Sequence, residues 1–396
     1  MNMLRNNKWI EDLEILALEL PKKHKNLFFK KYPRDYFNEI QVLKSNVDYY
    51  DDYEIMTKIA EIIAAIGDAH TFVTLPIKFL WPLQFYWFSN GIYFTRASEE
   101  YDHVKYCKVM KINNIDIGTV IKELCKIISY ENEYFLKSQL PKYLPAVELL
   151  YGLEIIDEIS EVDIDFIDTQ GEEQKVKIKP LPLKEAIERL EFNENQQEES
   201  SNLPLYRKNS DKNYWFQFLD DSKTVYFKYN LCRDMEDKSL FDFSKELKEF
   251  IDNNIVYKLI IDLRNNSGGD STLLEPFIQD IKLCHKINRE GRLFIIIGRD
   301  TFSSALLNAI SLKKQTKGIF IGEPTGGKPN CYGEVEKFKL KNSGLQITYS
   351  TKYYRAIEDD SMLSLFPDKI IDTDIEDYIN NVDPCVGYIL ENYNRV

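Results

Sequence analysis

Apolar positions follow helical spacing up to about residue 66, and the pattern changes beyond it. Trp9, Leu13, Leu16, Ala17 and Leu20 share one helical face, and Ile55, Ile59, Ile62, Ile63 and Ile66 repeat the arrangement. From Thr71 to about residue 112 the runs shorten, with LQFYWF at 83–88 and GIYFTR at 91–96 separated by turn residues. The aromatics between Trp81 and Phe88 alternate as strand residues that face a core do, the alternative being part of a substrate wall. Residues 108–128 read as strand, Asn-rich turn and helix, and a further helix is predicted over 132–150. VDIDFID (162–168) and KVKIKP (175–180) predict a hairpin around Gln170-Gly171. The polar stretch FNENQQEESSN (192–202) predicts a linker, placed within 191–205. Beyond it, short apolar runs alternate with helical segments: TVYFKY (224–229), KLIIDL (258–263), LFIII (293–297) and IFI (319–321), with helices near 238–253, 272–285 and 302–315. Continuous apolar strands in alternation with helices predict a parallel sheet covered on both faces, an α/β core.

Composition narrows the function classes. The chain of 396 residues carries 51 Lys+Arg against 64 Asp+Glu, a net charge of −13. No segment gathers the basic residues that nucleic-acid binding requires, and an acidic chain repels polyanions. A hydrophobic fraction of 44% predicts a globular protein with a large core. No apolar run reaches the 18 or so residues of a membrane span. Glu11, Asp12 and Glu14 interrupt the stretch where an export signal would be uniformly apolar, so the expected compartment is the cytoplasm. The six cysteines form no CxxC pair and read as reduced thiols, and the four histidines show no metal-ligand spacing. The expected cofactor and metal content is none.

In open α/β sheets, chemistry gathers where strands end and helices begin. Three such junctions are loaded here. KLIIDL runs into Arg264-Asn265-Asn266-Ser267-Gly268-Gly269-Asp270, whose paired glycines allow successive N–H groups to turn toward one point, as an oxyanion hole requires. Gly-Gly alone also serves an ordinary strand-to-helix turn. LFIII runs into Gly298-Arg299-Asp300-Thr301-Phe302-Ser303-Ser304, placing two serines at the positive end of an apolar helix. Neither serine has the Glu or Gln three residues on that a capping box uses; those positions are Leu306 and Leu307. IFI runs into Gly322-Glu323-Pro324-Thr325-Gly326-Gly327-Lys328, so Lys328 returns to the same sheet edge one helix and one strand after Ser303. A desolvated lysine there would serve as a base for a serine, and a solvated loop lysine would not. His70, in Ile66-Gly67-Asp68-Ala69-His70-Thr71, stands at a helix-to-strand turn; His24, His103 and His285 are assigned no role.

Together these motifs resemble the tail-specific, or C-terminal-processing, serine peptidase family. The match runs in family order through IGDAHTFV (66–73), KLIIDLRNNSGGD (258–270), DTFSSALLNAI (300–310), IGEPTGGK (321–328), YGEVEKFKLKNSGLQIT (332–348) and FPDKIID (366–372). The resemblance implies a ClpP/crotonase-like core with Ser303 as nucleophile and an oxyanion hole from the N–H of Ser304 with Gly268 or Gly269. It implies Lys328 as base or, as in the tricorn-like branch, His70 with a downstream acid among Glu358, Asp359 and Asp360. Three departures stand out. Leu306 replaces the glutamate of the Ser-Ala-Ala-Glu element, Tyr332 replaces the glutamine that supports the lysine, and KVMKINNIDIGTVIKEL supplies only the second half of a PDZ-like domain.

The architecture expected is an N-terminal helical region (1–70), a β-rich, partly PDZ-like region (71–190), the linker, and a catalytic core (206–396). The activity expected is that of a serine endopeptidase acting on unfolded or C-terminal peptide segments through an acyl-enzyme. The alternative is a non-catalytic module of the same fold that binds peptides or apolar ligands.

Overall fold

The computed structural model describes residues 3–197 and 203–393, as a mixed helix-and-sheet structure in two compact units. The first comprises Met1–Glu131, Leu136–Glu199 and Cys331–Tyr354; the second comprises Asn132–Phe135, Ser200–Asn330 and Arg355–Val396.

In the first unit, α1 (Met3–Lys23) buries Trp9, Leu13, Leu16 and Leu20, the stripe the spacing predicts. After α2 (Pro33–Asn46), α3 (Asp52–Ala64) opens on a capping box. The Asp51 carboxylate accepts from the N–H groups of Tyr53 (2.8 Å) and Glu54 (2.9 Å), and Glu54 accepts from Asp51 N–H (2.7 Å). Such a cap contributes about 1 kcal/mol. The isoleucines of α3 are buried in the core of this unit.

Strands β1 (Phe72–Thr74), β2 (Phe79–Leu80), β3 (Leu83–Phe88), β4 (Gly91–Ala97), β5 (Lys108–Ile112) and β6 (Ile115–Asp116) follow. Then come α4 (Ile117–Ile127), α5 (Glu133–Tyr143), α6 (Val147–Gly152), β7 (Val162–Ile167), β8 (Glu173–Ile178), β9 (Leu181–Pro182) and α7 (Leu183–Gln197). An antiparallel sheet has the order β3-β4-β5-β7-β8, and β7 and β8 are the expected hairpin. Helix α7 covers residues 192–197, which the polar composition assigns to a linker; residues 198–202 of that stretch lie outside the described residues.

The second unit is organised on a sheet. Strands β10 (Tyr214–Leu219), β11 (Thr224–Tyr229), β12 (Lys258–Asp262), β13 (Leu293–Ile297) and β14 (Ile319–Gly322) lie in chain order, with only β10 antiparallel to its neighbour. Their side chains alternate between two cores. Val225, Phe227, Leu259, Ile261, Leu293 and Ile295 face α8 (Leu240–Asn253), α9 (Glu275–Leu283) and α10 (Ser303–Gln315). Tyr226, Ile260, Phe294 and Ile296 face the opposite core. Burial on both faces is the reason these strands read as unbroken apolar runs.

Strands β15 (Asn330–Lys339) and β16 (Gln346–Arg355) depart from the expected division, in which all of 206–396 forms one core. Their hairpin groups with the first unit because β16 pairs with β1 and because buried Asp12 accepts from the N–H groups of Asn342 (2.8 Å) and Ser343 (2.7 Å) at the hairpin turn. An acid on the apolar face of α1 is thereby satisfied by a segment 330 residues away. The chain closes with β17 (Lys369–Ile370), which extends the second sheet beside β14, then α11 (Ile375–Ile379) and α12 (Pro384–Asn392), whose Cys385, Val386 and Ile389 complete the second core. No helix among the described residues is long and apolar enough to cross a membrane.

Candidate active site

Two loops meet at the ends of β12 and β13 in the second unit, and hydrogen bonds lace them together. Buried Thr301 donates to the Leu263 carbonyl (2.8 Å) and accepts from Gly298 N–H (3.0 Å), and Phe302 N–H donates to the Asn266 carbonyl (3.1 Å). This fixes where α10 begins. Its first residue, Ser303, has φ +51°, the left-handed region that non-glycine residues enter at a cost of about 1–2 kcal/mol.

The glycines opposite are required by space as well as by conformation. Gly268 has φ +112° and Gly269 φ +131°. A Cβ on Gly268 would stand 2.8 Å from Ser303 Cβ and 3.0 Å from Ser304 N, and one on Gly269 would collide with the Cys232 carbonyl. The Ser304 hydroxyl donates to the Gly269 carbonyl (2.6 Å). Thus Gly268, Gly269, Ser303 and Ser304, separated by more than thirty positions, form one corner.

The N–H groups of that corner are not equivalent. Gly268 N–H donates to buried Asn266 Oδ1 (2.9 Å), and Asn266 Nδ2 donates to the Tyr229 carbonyl (3.0 Å). Of the two glycines proposed from sequence, Gly268 has its N–H occupied, while Gly269 N–H has no acceptor among the described residues. Ser304 N–H belongs to the first turn of α10, where no preceding helical carbonyl exists to receive it.

Lys328 follows a residue packed against the start of α10: Gly327 N–H donates to the Thr301 carbonyl (3.1 Å), and a Cβ on Gly327 would press on Leu306. Leu306, where the peptidase pattern has glutamate, is buried in this contact. The Lys328 side chain is partly exposed and makes no ion pair or hydrogen bond among the described residues. Asp360 is exposed, accepts from Asn330 Nδ2 (2.6 Å) and lies 3.8 Å from Arg355.

His70 belongs to the first unit, on a turn that Gly67 (φ +78°) opens after α3. Asp68, fully buried, organises that turn. Its Oδ1 accepts from His70 N–H (2.9 Å), and its Oδ2 accepts from Thr71 Oγ1 (2.5 Å), Ser350 Oγ (2.7 Å) and His24 Nε2 (3.0 Å). His24 Nδ1 accepts from Asn26 N–H (3.0 Å), which fixes the proton on Nε2. Burial alone would raise the Asp68 pKa. The hydrogen bond from His24, the charge that His70 carries when protonated and the two hydroxyls outweigh it and hold the carboxyl below its ordinary value.

The His70 ring is buried, with Nδ1 4.0 Å from Asp68 Oδ1. Burial lowers its pKa, opposed by the Asp68 charge and a backbone hydrogen bond at Tyr332, so the neutral imidazole is favoured near pH 7. Glu131 adds a second carboxylate: one atom each from Asp68, His70 and Glu131 lie within 4.8 Å of one another. Four donors already occupy the Asp68 oxygens, the pattern of a hydrogen-bond hub. Tyr332, the other departure from the peptidase pattern, packs at tilted angles against His24, Phe29 and Tyr353 in this unit and accepts from Asn26 Nδ2 (3.1 Å).

Sequence reasoning missed Asp68, Glu131, His24 and Ser350. The spacing Asp-x-His-Thr carried a signal for the first, since an Asp two and three residues before its donors is a turn-forming acceptor. His24 and Ser350 carried none, because only tertiary folding delivers them.

No family model matches the sequence, and no curated protein matches it. Among solved structures, mature CPAF complexed with lactacystin matches at 14% identity with a TM-score of 0.67, covering 99% of this chain and 98% of that one. Mature CPAF alone matches at 14% identity and TM-score 0.66, covering 99% and 97%. A weaker likeness, 11% identity and TM-score 0.41 over 94% and 93%, runs to the photosystem II D1 C-terminal processing protease. End to end in both chains, this protein has the fold of mature CPAF.

Proposed function

We propose that the chain is a serine endopeptidase of the tail-specific type, cleaving unfolded or C-terminal peptide segments through an acyl-enzyme. Ser303 Oγ attacks the scissile carbonyl, the N–H groups of Gly269 and Ser304 receive the oxyanion, and His70 takes the serine proton and returns it to the leaving amine. The observation that carries this reading is the left-handed Ser303 at the head of α10 with the Gly268 backbone against it. Strain of this kind persists where the surrounding structure over-determines it, and it clusters at reactive positions.

Between the two bases, burial favours His70, whose ring is biased to the neutral, proton-accepting form. Lys328 is partly exposed, whereas a lysine base depends on desolvation. Asp68, which holds the His70 turn, is the better candidate for the acidic partner than Asp360, which is engaged with Asn330 and Arg355. The same reading takes the parallel sheet of the second unit as a ClpP/crotonase-like core and residues 71–190 as partly PDZ-like.

The test is cleavage of an unstructured peptide mixture, read by mass spectrometry, by the wild type and by Ser303→Ala, His70→Ala and Lys328→Ala. Ser303→Ala and His70→Ala each lose at least about a thousandfold, and Lys328→Ala loses less than about tenfold. Equal cleavage by Ser303→Ala removes the nucleophile. A collapse in Lys328→Ala with His70→Ala active transfers the base to Lys328. No cleavage by the wild type from pH 5 to 10 favours the peptide- or apolar-ligand-binding module.

A further inference from the structure

Strand β11 carries a lysine where both neighbours in sequence are core aromatics. Lys228 has no exposed side-chain surface, and it is paired in register with Asp262 of β12. Its ammonium lies 3.2 Å from Asp262 Oδ1 and donates to Asn265 Oδ1 (2.8 Å). Asp262 also accepts from Tyr226 OH (2.5 Å), from Arg264 N–H (2.9 Å) and from Arg264 Nε. Arg264 in turn forks onto Asp383 (3.0 and 2.8 Å), which caps α12 through the N–H groups of Cys385 and Val386. Two buried cations are thus matched by two carboxylates.

One contact leaves this network. Asn265 is exposed, and nothing in the charge balance of the cluster requires it. It is instead the residue before Asn266, whose Oδ1 holds Gly268 N–H. The line Lys228, Asn265, Asn266, Gly268 ends against Ser303 Cβ. We propose that Lys228 is a positioning residue: by holding Asn265 it sets the Gly268-Gly269 turn, so that the reactivity of Ser303 depends on the lysine ammonium. This rests on the peptidase reading for the reaction, and on geometry alone for the loop.

The charged groups that act on Lys228 are Asp262 and Arg264, on β12 and the loop after it, and Asp383 before α12; Tyr226, on the same strand, donates to Asp262, and Cys385 lies near Arg264. Tyr206 lies behind, its ring 4.7 Å from the Arg264 guanidinium. Burial pushes the Lys228 pKa down to about 8; the Asp262 charge opposes this and the Arg264 charge adds to it. Burial raises the thiol of Cys385 to about 12 and the phenols of Tyr226 and Tyr206 well above their ordinary value, and Asp262 is held to about 2 chiefly by Arg264 and Lys228 against the opposing effect of burial. Above neutral pH, Lys228 is therefore the first member of the cluster to lose its proton.

The experiment compares wild type, Lys228→Met, Asn265→Ala and Asn265→Asp on two readouts. The first is the rate at which an alkyl fluorophosphonate modifies Ser303, an Oγ–P bond forming as fluoride leaves. The second is hydrogen exchange of the peptide spanning 265–270, corrected for intrinsic rates. In the wild type the modification rate falls about tenfold between pH 7 and pH 9.5. Lys228→Met and Asn265→Ala react about tenfold more slowly at pH 7, lack that fall, and exchange faster in 265–270 with β13 unchanged. Asn265→Asp, which keeps the acceptor, is rescued relative to Asn265→Ala. A lysine serving stability alone would leave Asn265→Ala reacting and exchanging as the wild type does, and that result overturns the proposal. If the wild type does not react at all, the peptidase reading fails, and unchanged exchange in both variants would then sink the loop assignment separately.

Discussion

Gly268→Ala puts the corner around Ser303 to a quantitative test. An alanine there must hold φ near +112°, a region that costs an L residue about 1–3 kcal/mol. Its Cβ would stand 2.8 Å from Ser303 Cβ, where carbon atoms ordinarily approach to about 3.5–4.0 Å. The turn or the serine must therefore retreat by about 0.7 Å or more. A displacement of that order in a reacting group costs about a hundredfold in rate. The expected outcome is a stability loss of about 2–3 kcal/mol, read by urea denaturation, and a fall in kcat of about a hundredfold for peptide cleavage.

The control is Gly171→Ala. Gly171 also has positive φ (+91°), but a Cβ there meets nothing within 4 Å. It isolates the dihedral cost, about 1 kcal/mol, with no change in rate. If Gly268→Ala matches this control in both stability and rate, the close approach of Gly268 to Ser303 has no functional weight, and the reasoning from the corner fails.

Other expectations follow from the same contacts. Asp68→Asn deprives three donors of their shared charged oxygen and should cost about 3 kcal/mol at pH 7, measured by urea denaturation. The sign of the pH dependence is set by two lowered pKa values. The Asp68 contribution is present above the ordinary carboxylate pKa and lost as pH falls below it, and His70 favours unfolding as pH falls below its ordinary value. Wild type should therefore lose stability in two stages on acidification, from about pH 6.5 and from about pH 4; the second should be smaller in Asp68→Asn, where Asp262, whose pKa is also lowered, still contributes to it, and an undiminished second stage in the variant refutes the assignment. Thr301→Val leaves Gly298 N–H and the Leu263 carbonyl without their shared hydroxyl in a buried turn and should cost about 1–3 kcal/mol, with a parallel loss of Ser303 reactivity.

The pattern of side chains determined a good part of this protein. Continuous apolar runs such as LFIII pointed to a sheet buried on both faces, since a strand with one wet face alternates apolar and polar residues; the two cores on either side of β12 and β13 are that statement in three dimensions. The helical stripes of α1 and α3, and the convergence of Gly268-Gly269 with Ser303-Ser304 at neighbouring strand ends, were legible for a related reason. Consecutive parallel strands bring successive loops to one edge.

What remained hidden depends on contacts between distant segments. The acid that organises His70 stands two residues before it in sequence, but its other donors, His24 and Ser350, come from 44 residues before Asp68 and 282 residues after it. The hairpin of β15 and β16 joined the first unit through a buried aspartate and an edge strand, neither of which announces its partner. Lys228 lies within the run TVYFKY, and nothing in that run names a partner for it. Its meaning arises only when the register sets it beside Asp262 and the loop brings Asn265 to its ammonium, since a buried charge is tolerable only with a partner that local sequence does not reveal.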